Sequence, residues 1–374
     1  MEKNVIPQPT ASSNVLQVVQ LIRSEQPISR ADIAKKLGIA RSTVSAIIDD
    51  LLNKEVVIEQ GFGSSTKEGG RRGIQLGFNP KSAYGVGVDI GGTKIFIVIT
   101  DLDGEVVFKE KIKTMADIDE IMAAINQAIL KSGVDQQLII AMGVGVPGMT
   151  NTATGEVIDA PALGWQNVPL KDRMQKHFNF PVFINNDVRC AALGERWLGS
   201  GVMSQNMFFI AFGTGVGSAI IYNGQLIEGH NFSSGEIGYF IDTDDVENGL
   251  TNQPGQFGTF ENKNSGTGLS RHGIAPEELF KQYAGKDAKA AAIIERFIRE
   301  VSVALANVCS LINPEKIIIG GGVSESMPVV LDEIKKNVQN FTPNHASIEL
   351  AVLGPDAGGL GAVAYAFQKL QEVN

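Results

Sequence analysis

Two seven-residue runs, lying more than a hundred residues apart, constrain this chain more than anything else in it. Val88–Lys94 reads Val, Asp, Ile, Gly, Gly, Thr, Lys, and Ala211–Gly217 reads Ala, Phe, Gly, Thr, Gly, Val, Gly. Each follows an apolar strand, each bends through glycine and threonine, and each leads into a second strand. The strands then turn at Asp101–Gly104 and Tyr222–Gly224 into a third. A strand–glycine–strand unit can arise twice by coincidence, but a hydroxyl residue in both loops favours duplication. Two such hairpins facing each other across a cleft describe an α/β fold of the actin-like ATPase (ribonuclease H-like) type.

The rest of the chain supports that frame. From Tyr84 onward strands and helices alternate. Strands are expected at Tyr84–Asp89, Ile95–Thr100, Glu105–Lys109, Leu138–Val146, Val182–Asn185, Met207–Phe212, Ser218–Tyr222, Lys316–Ile319 and Ile348–Leu353. Amphipathic helices are expected over Asp117–Lys131, Val188–Leu198, Ala288–Leu311, Pro328–Asn337 and Gly358–Glu372. The acidic run Asp242–Glu247 reads as a solvated loop.

The first eighty residues follow another pattern. Val15, Leu16, Val18, Val19 and Ile22 recur at helical spacing until Pro27. Ser29 offers an N-cap with Asp32 as its capping-box partner, and Gly38 closes that short helix. A third helix starts near Arg41, with Val44, Ile47, Ile48, Leu51 and Leu52 facing inward. Val56–Glu59 and Ile74–Phe78 then form a hairpin around the Gly/Ser-rich tip Gly61–Gly70. Three helices and a hairpin make a winged helix-turn-helix, mostly α, with Asn79–Lys81 as linker. The expected domains are therefore residues 1–80, a first lobe over 81–200 and a second over 201–374.

Charge agrees with that division. The chain carries a net −9, yet residues 1–80 hold ten Lys/Arg against eight Asp/Glu, so the acidic excess lies wholly in the body. That asymmetry suits a small module touching DNA. Arg41, Ser42, Thr43 and Ser45 lie outward on the third helix, where a recognition helix presents side chains to base edges. Lys67, Arg71 and Arg72 in the wing would meet phosphate. A three-helix unit can also be merely structural; the capping, the glycine turn and the basic wing together favour operator DNA.

Three glycine loops are candidates for phosphate or ribose: Asp89, Gly91, Gly92, Thr93 and Lys94; Gly213, Thr214 and Gly215; and Gly321 with Gly322. None is a Walker A loop. Asp187, between a strand and a helix, is the general-base candidate, able to take a hydroxyl proton as that oxygen attacks a γ-phosphate. It is equally suited to cap the helix that follows. With only Cys190 and Cys309, neither a disulfide framework nor a cysteine metal site is expected. No signal peptide or membrane span is read, so the expected compartment is the cytoplasm.

These residues carry a family resemblance over nearly the whole length. Asp89–Lys94, Gly145–Gly148, Ala160–Trp165, Asn186–Asp187 running into Ala191–Glu195, Phe212–Gly217 and Gly235–Gly238 resemble the motifs of the ROK family of repressors, open reading frames and kinases. Gly69–Arg72, ending the wing, resembles its repressor branch. The resemblance implies a sugar cleft built from Asn186, Asp187, Glu236, Tyr239 and Glu261, a homodimer, and sugar-controlled repression, with an ATP-dependent sugar kinase as the alternative. No cofactor is required for repression; ATP and Mg²⁺ are what an active kinase cleft would take. Family members usually carry a histidine and three cysteines that bind a structural zinc. Tyr239, Asn252, Pro254 and Thr259 occupy those places here, so no zinc and no other metal is expected. Ala162 also stands where related sequences often have asparagine.

Overall fold

A computed structural model describes residues 13–62, 73–253 and 255–373. The head contains α1 (Ser13–Glu25), β1 (Ile28–Ser29), α2 (Arg30–Leu37), α3 (Arg41–Asn53), β2 (Val57–Phe62) and β3 (Ile74–Phe78), with sheet order β1–β3–β2. Val18, Ile22, Ile33, Val44, Ile48, Leu51 and Leu76 form its buried core. Ser29 caps α2, accepting the Asp32 N–H at 3.2 Å, and Gly38 ends it in the left-handed conformation. The box differs from expectation in one bond: the Asp32 carboxylate accepts the Ser29 hydroxyl at 2.6 Å. Most of the expected hairpin tip, with Lys67, Arg71 and Arg72, lies outside the described residues.

The head is fastened to the body. Leu102 N–H reaches the Pro80 carbonyl and Arg23 binds Asp103, while Asn79 ties the linker back to the head through Nδ2 and the Glu55 carbonyl. Ala83, Leu102, Leu138 and Ile140 of the body extend the head's own apolar cluster.

The first lobe holds β4 (Tyr84–Ile90), β5 (Lys94–Asp101), β6 (Val106–Lys113), α4 (Ile118–Ser132), β7 (Ile139–Val146), β8 (Met149–Asn151), β9 (Glu156–Ala160), β10 (Trp165–Val168), α5 (Leu170–His177), β11 (Val182–Asn186) and α6 (Asp187–Leu198). The second holds β12 (Met207–Phe212), β13 (Val216–Tyr222), β14 (Gln225–Leu226), α7 (Thr243–Glu247), α8 (Thr259–Asn264), α9 (Gly266–Ser270), α10 (Pro276–Ala284), α11 (Ala288–Ile312), β15 (Lys316–Gly320), α12 (Leu331–Phe341), β16 (Ser347–Leu350) and α13 (Ala357–Val373).

The duplication is visible in the strand order. One sheet runs β11–β7–β4–β5–β6 and the other β16–β15–β12–β13–β14 when written from the same edge. In both, the first two hairpin strands pair antiparallel and the third extends them. In both, the opening strand pairs parallel with the next strand, which pairs parallel with the last. The glycine–threonine loops occupy the same corner of the two sheets. The expected architecture, a winged helix-turn-helix followed by a duplicated actin-like fold, is the one observed.

Alternation along the strands explains how the lobes meet. In β4, Val86, Val88 and Ile90 point into the first-lobe core, while Gly85 and Gly87 face α13. A Cβ on Gly143 of β7 would stand 1.8 Å from the Ala362 carbonyl oxygen, and one on Gly361 would stand 1.6 Å from that of Cys190. Helix α13 thus crosses the first sheet and α6 at backbone contact, which only glycine permits. Although last in sequence, α13 belongs by packing with β4, β7 and α6. The buried Glu195 carboxylate joins the same junction, accepting N–H groups from Ser200, Val352 and Leu353.

Some local expectations change. Residues 242–247 are no loop: Asp242 and Asp245 form a capping box, and buried Asp245 pairs with Lys263 at 2.5 Å. The helix expected at Pro328 begins later, because Gly322–Val329 is a 3-10 segment containing Pro328 and α12 starts at Leu331. The last strand stops at Leu350, and β6 runs on to Lys113 in register with Lys94.

Candidate functional site

The N-terminus of α6 is the centre of the cleft. Asn186 caps the helix by accepting the Arg189 N–H at 3.1 Å, and its Nδ2 donates to the Gly148 carbonyl at 3.0 Å. That second bond ties the helix start to the Gly145–Gly148 segment. Asp187 follows at the first helical position, where its Oδ1 accepts the Val188 N–H at 2.8 Å. The cap is thus Asn186 and not Asp187, which keeps part of its surface open.

Carboxylates converge there. Burial, then the nearby Asp187 charge, pushes the Asp89 carboxyl from 3.8 up to about 7. Burial raises Asp187 as well, against the opposing pull of the Val188 N–H and the Asn186 side chain. Asp89 sits at the end of β4 against the start of α13, where a Cβ on Gly358 would meet its Oδ2 at 2.4 Å. Glu236 is raised by burial and by Glu261 and Asp187, with Arg189 pulling the other way. Tyr239 is raised by burial and by Glu236, Glu261 and Asp159. Asp89, Asp187, Glu236, Tyr239 and Glu261, all singled out in the sequence, therefore share one electrostatic neighbourhood. Such a set of acceptors with a phenol suits vicinal hydroxyls, and the Asn186 amide, already bonded to Arg189 and Gly148, keeps one N–H for them.

Glu261 is more tightly engaged than its sequence suggests. Its Oε1 accepts the Val216 N–H at 2.9 Å and its Oε2 the Gly258 N–H at 3.3 Å. It braces the Gly213–Gly217 loop, and a Cβ on Gly215 would strike its Oε1 at 2.1 Å.

The three glycine loops are shaped for close approach. Gly91 N–H closes on the Lys94 carbonyl at 2.9 Å, leaving Gly92, Thr93 and Lys94 exposed. Lys94 has no ion pair among the described residues. Thr214 is exposed, and the Gly213 carbonyl accepts the Gly266 N–H at 2.8 Å, docking α9 on the loop. Gly321 takes φ +82°, with Phe212 backbone in the space a side chain would need. Nothing lies within 4 Å of a Cβ built on Gly213 or Gly322. Open glycine faces of this kind leave room for a phosphate or a ribose. MgATP, where bound, would supply the phosphoryl group.

Two residues escaped the sequence. Arg189 is 2% exposed, and its Nη2 donates to the carbonyls of Phe232 at 2.8 Å, Ser234 at 3.3 Å and Glu228 at 3.4 Å. It clamps the segment leading into Glu236 from one turn along α6. Burial lowers its pKa, opposed by Glu236 and Glu228. Asp159 on β9 adds to the upward push on the Tyr239 phenol; the signal available was its place directly before Ala160–Trp165.

Zinc does not fit the segment expected to lack it. Asn252 Nδ2 donates to the Tyr239 carbonyl at 2.6 Å and Asn252 Oδ1 accepts the Thr259 N–H at 2.8 Å, so both atoms are spent on protein. An amide, a hydroxyl and a phenol are also poor zinc donors. Pro254 lies outside the described residues. Among the described residues no cluster of His, Cys, Asp and Glu could hold a metal.

On the head, Arg41, Ser42 and Thr43 are exposed above buried Val44, Ile48 and Leu51, and Ser45 is half-buried. Ala40 offers α3 no side-chain cap. Asp49 is paired with Arg30 at 2.7 Å, which relieves its repulsion of a polyanion.

A duplicated two-lobe body with an acidic cleft behind a winged helix-turn-helix defines the class. The ROK family matches residues 85–369 and a winged helix-turn-helix DNA-binding family residues 13–58. The chain belongs to the ROK family. It is 33% identical to a glucokinase of Halalkalibacterium halodurans over 74% of this chain and 92% of that protein. It is 30% identical to the xylose repressor of Caldicellulosiruptor bescii over 94% of each. A ROK family transcriptional regulator, described as a homologue of the E. coli MLC protein, superposes with TM-score 0.80 at 22% identity, covering 96% of this chain and 97% of its own. The ROK glucokinase of Streptomyces griseus, solved with glucose and AMPPNP, gives TM-score 0.64 at 29% identity over 76% and 100%. No helix among the described residues is long and apolar enough to cross a membrane.

Proposed function

We propose that the chain is a sugar-responsive, DNA-binding transcriptional repressor of carbohydrate-metabolism genes, acting as a homodimer in the cytoplasm. One observation carries this reading. The xylose repressor matches 94% of the chain, head included, whereas the glucokinase covers 74% of it. The head, residues 1–80, reads operator DNA with Arg41, Ser42, Thr43 and Ser45 on α3. Lys67, Arg71 and Arg72 of the wing bind phosphate. The effector sugar lies between lobes 81–200 and 201–374, with α13 serving the first. Asn186, Asp187, Glu236, Tyr239 and Glu261 bind its hydroxyls. For sugar to control the operator it must bind the two arrangements of the dimer unequally. A change in head separation does this, because the half-sites are about 34–36 Å apart.

A kinase is the second reading. It is favoured by Asp187, partly open at the start of α6, and by the intact loops of Asp89, Gly91, Gly92, Thr93 and Lys94, of Gly213, Thr214 and Gly215, and of Gly321 and Gly322. ATP with Mg²⁺ would then be required, and Asp187 would take the proton of the attacking hydroxyl. The test pairs two assays on the full-length protein. Operator binding is measured with and without each sugar of a monosaccharide panel, and sugar-dependent ATP consumption is measured beside Asp187→Ala. Sugar-dependent release with negligible turnover supports the repressor. Turnover abolished in the variant, with no sugar effect on DNA, establishes the kinase instead.

A further inference from the structure

The second-lobe side of the proposed sugar site is carried by two separate stretches of backbone. One is the turn Glu236–Phe240, bearing Glu236 and Tyr239. The other is α8, bearing Glu261 in its first turn. Both are short, so their separation depends on what joins them. The Phe240 carbonyl accepts the Thr259 hydroxyl at 2.6 Å and the Phe260 N–H at 3.2 Å. Tyr239 itself is reached by Asn252, which donates to its carbonyl at 2.6 Å while accepting the Thr259 N–H at 2.8 Å. Beneath this bridge, Gly258 lies so close that a Cβ would stand 2.1 Å from the Gly238 carbonyl oxygen.

We propose that Asn252 is the positioning residue of the sugar site, its carboxamide bonding the Tyr239 carbonyl and the Thr259 amide at once and so setting the spacing of Tyr239 and Glu261 without a metal. The inference rests on the sugar-binding reading of those two residues. The chemistry is particular to a carboxamide, which donates from one atom and accepts at the next. A carboxylate could serve Thr259 but not the carbonyl of Tyr239. A thiol can bridge neither well. Where the ROK pattern would join two cysteines through zinc, Asn252 and Thr259 are joined here by one hydrogen bond. The outer loop is secured independently, through Lys263 to Asp242 and Asp245. Asn252 is thereby left, beside the two bonds to the Phe240 carbonyl, to hold Tyr239 of the sugar-facing turn.

The test uses the full-length chain, Asn252→Ala and Asn252→Asp, with D-xylose and D-glucose as probes and a duplex from the chain's own promoter region. In the ligand-free protein, Asn252→Ala should raise hydrogen exchange about ten-fold over residues 239–241 and 258–261, with β12 and β15 unchanged. Asn252→Asp, which keeps the acceptor for Thr259, should loosen 239–241 while sparing 258–261. The sugar concentration for half-release from the duplex should rise about ten-fold in Asn252→Ala, with sugar-free duplex affinity unchanged. A zinc chelator should leave the wild-type exchange pattern as it is. Unchanged exchange in Asn252→Ala, an unchanged sugar response, or chelator-induced loosening of the wild type would each overturn the inference. Should neither sugar act on the wild type, the sugar-binding reading fails for these probes, and the exchange pattern alone decides whether Asn252 holds the two stretches together.

Discussion

Replacing Asp89 by asparagine probes one of the electrostatically strained acids of the cleft. Its carboxyl is displaced from 3.8 to about 7, chiefly by burial and then by Asp187. That displacement corresponds to about 4 kcal/mol. The N-terminus of α13 beside it offsets part of the strain, by up to about 2 kcal/mol, so about 2–4 kcal/mol is expected. The sign follows from linkage. The native state holds this proton more tightly than the unfolded chain does, so the contribution is fully present below about pH 4 and is lost as pH rises toward about 7. Asparagine stays neutral throughout. The stability of Asp89→Asn minus that of wild type should therefore climb by about 2–4 kcal/mol between about pH 4 and pH 8, on top of a pH-independent offset. Because Asp187 titrates beside it, the profile belongs to the pair. The two tryptophans are well placed to report urea unfolding. Trp165 is buried in the first-lobe core, and Trp197 packs edge-on against Phe367 of α13. A difference profile that is flat, or that falls with pH, would refute the assignment of a raised pKa to Asp89.

Other consequences are simpler to test. Arg41→Ala should weaken specific operator binding by about 1–3 kcal/mol if it reads a guanine, measured by fluorescence anisotropy against a scrambled duplex; equal losses on both duplexes would make it a phosphate contact. Arg189→Met removes three carbonyl contacts from a buried clamp and should lower stability by about 2–4 kcal/mol in urea unfolding, with sugar response lost before DNA binding. Gly361→Ala drives a methyl into the Cys190 carbonyl and should cost about 3 kcal/mol or abolish soluble expression. Gly213→Ala meets open space and should keep stability within about 0.5 kcal/mol in the same urea assay.

Much of this arrangement is legible in the chain because it is written in short periods. The head follows from helical spacing, Ser29 and Gly38, and the two sheets from β-patterned runs closed by glycine and threonine. The cleft acids are readable because Asp187 and Glu236 sit inside recognisable local motifs. What stayed hidden is long-range. Arg189 looks like any surface arginine, and its carbonyl partners lie 39 to 45 residues away. The three-stranded sheet β10–β9–β8 has strands of three to five residues, too short for periodicity to separate from loop. The return of α13 to the first lobe did leave a trace. Glycines at 85, 87 and 143 face one side of the sheet, and glycines at 358, 359 and 361 mark the helix that meets them.

The attachments of the head limit how sugar can act on DNA. Arg23 is tied to the β5–β6 turn, Leu102 N–H to the Pro80 carbonyl, and the head's apolar cluster continues into Leu102, Leu138 and Ile140. Head and first lobe therefore move together. The lobes are joined by the apolar cluster of Ala192, Leu193, Phe209, Ala219 and Ile221, and by hydrogen bonds from Thr152 Oγ1 to Glu228 at 2.8 Å and from Arg189 to a run of carbonyls. Such hydrogen bonds can exchange partners when a ligand fills the gap, whereas the glycine-tight crossing of α6 and α13 cannot slide. A closure of the cleft would have to turn the second lobe against α6, where Ala192 and Leu193 share one buried apolar cluster with Phe209, Ala219 and Ile221. In a two-fold dimer it alters the spacing of the heads only if the second lobes make the contact between subunits. If the first lobes made it, the heads would keep their separation whatever the cleft contained.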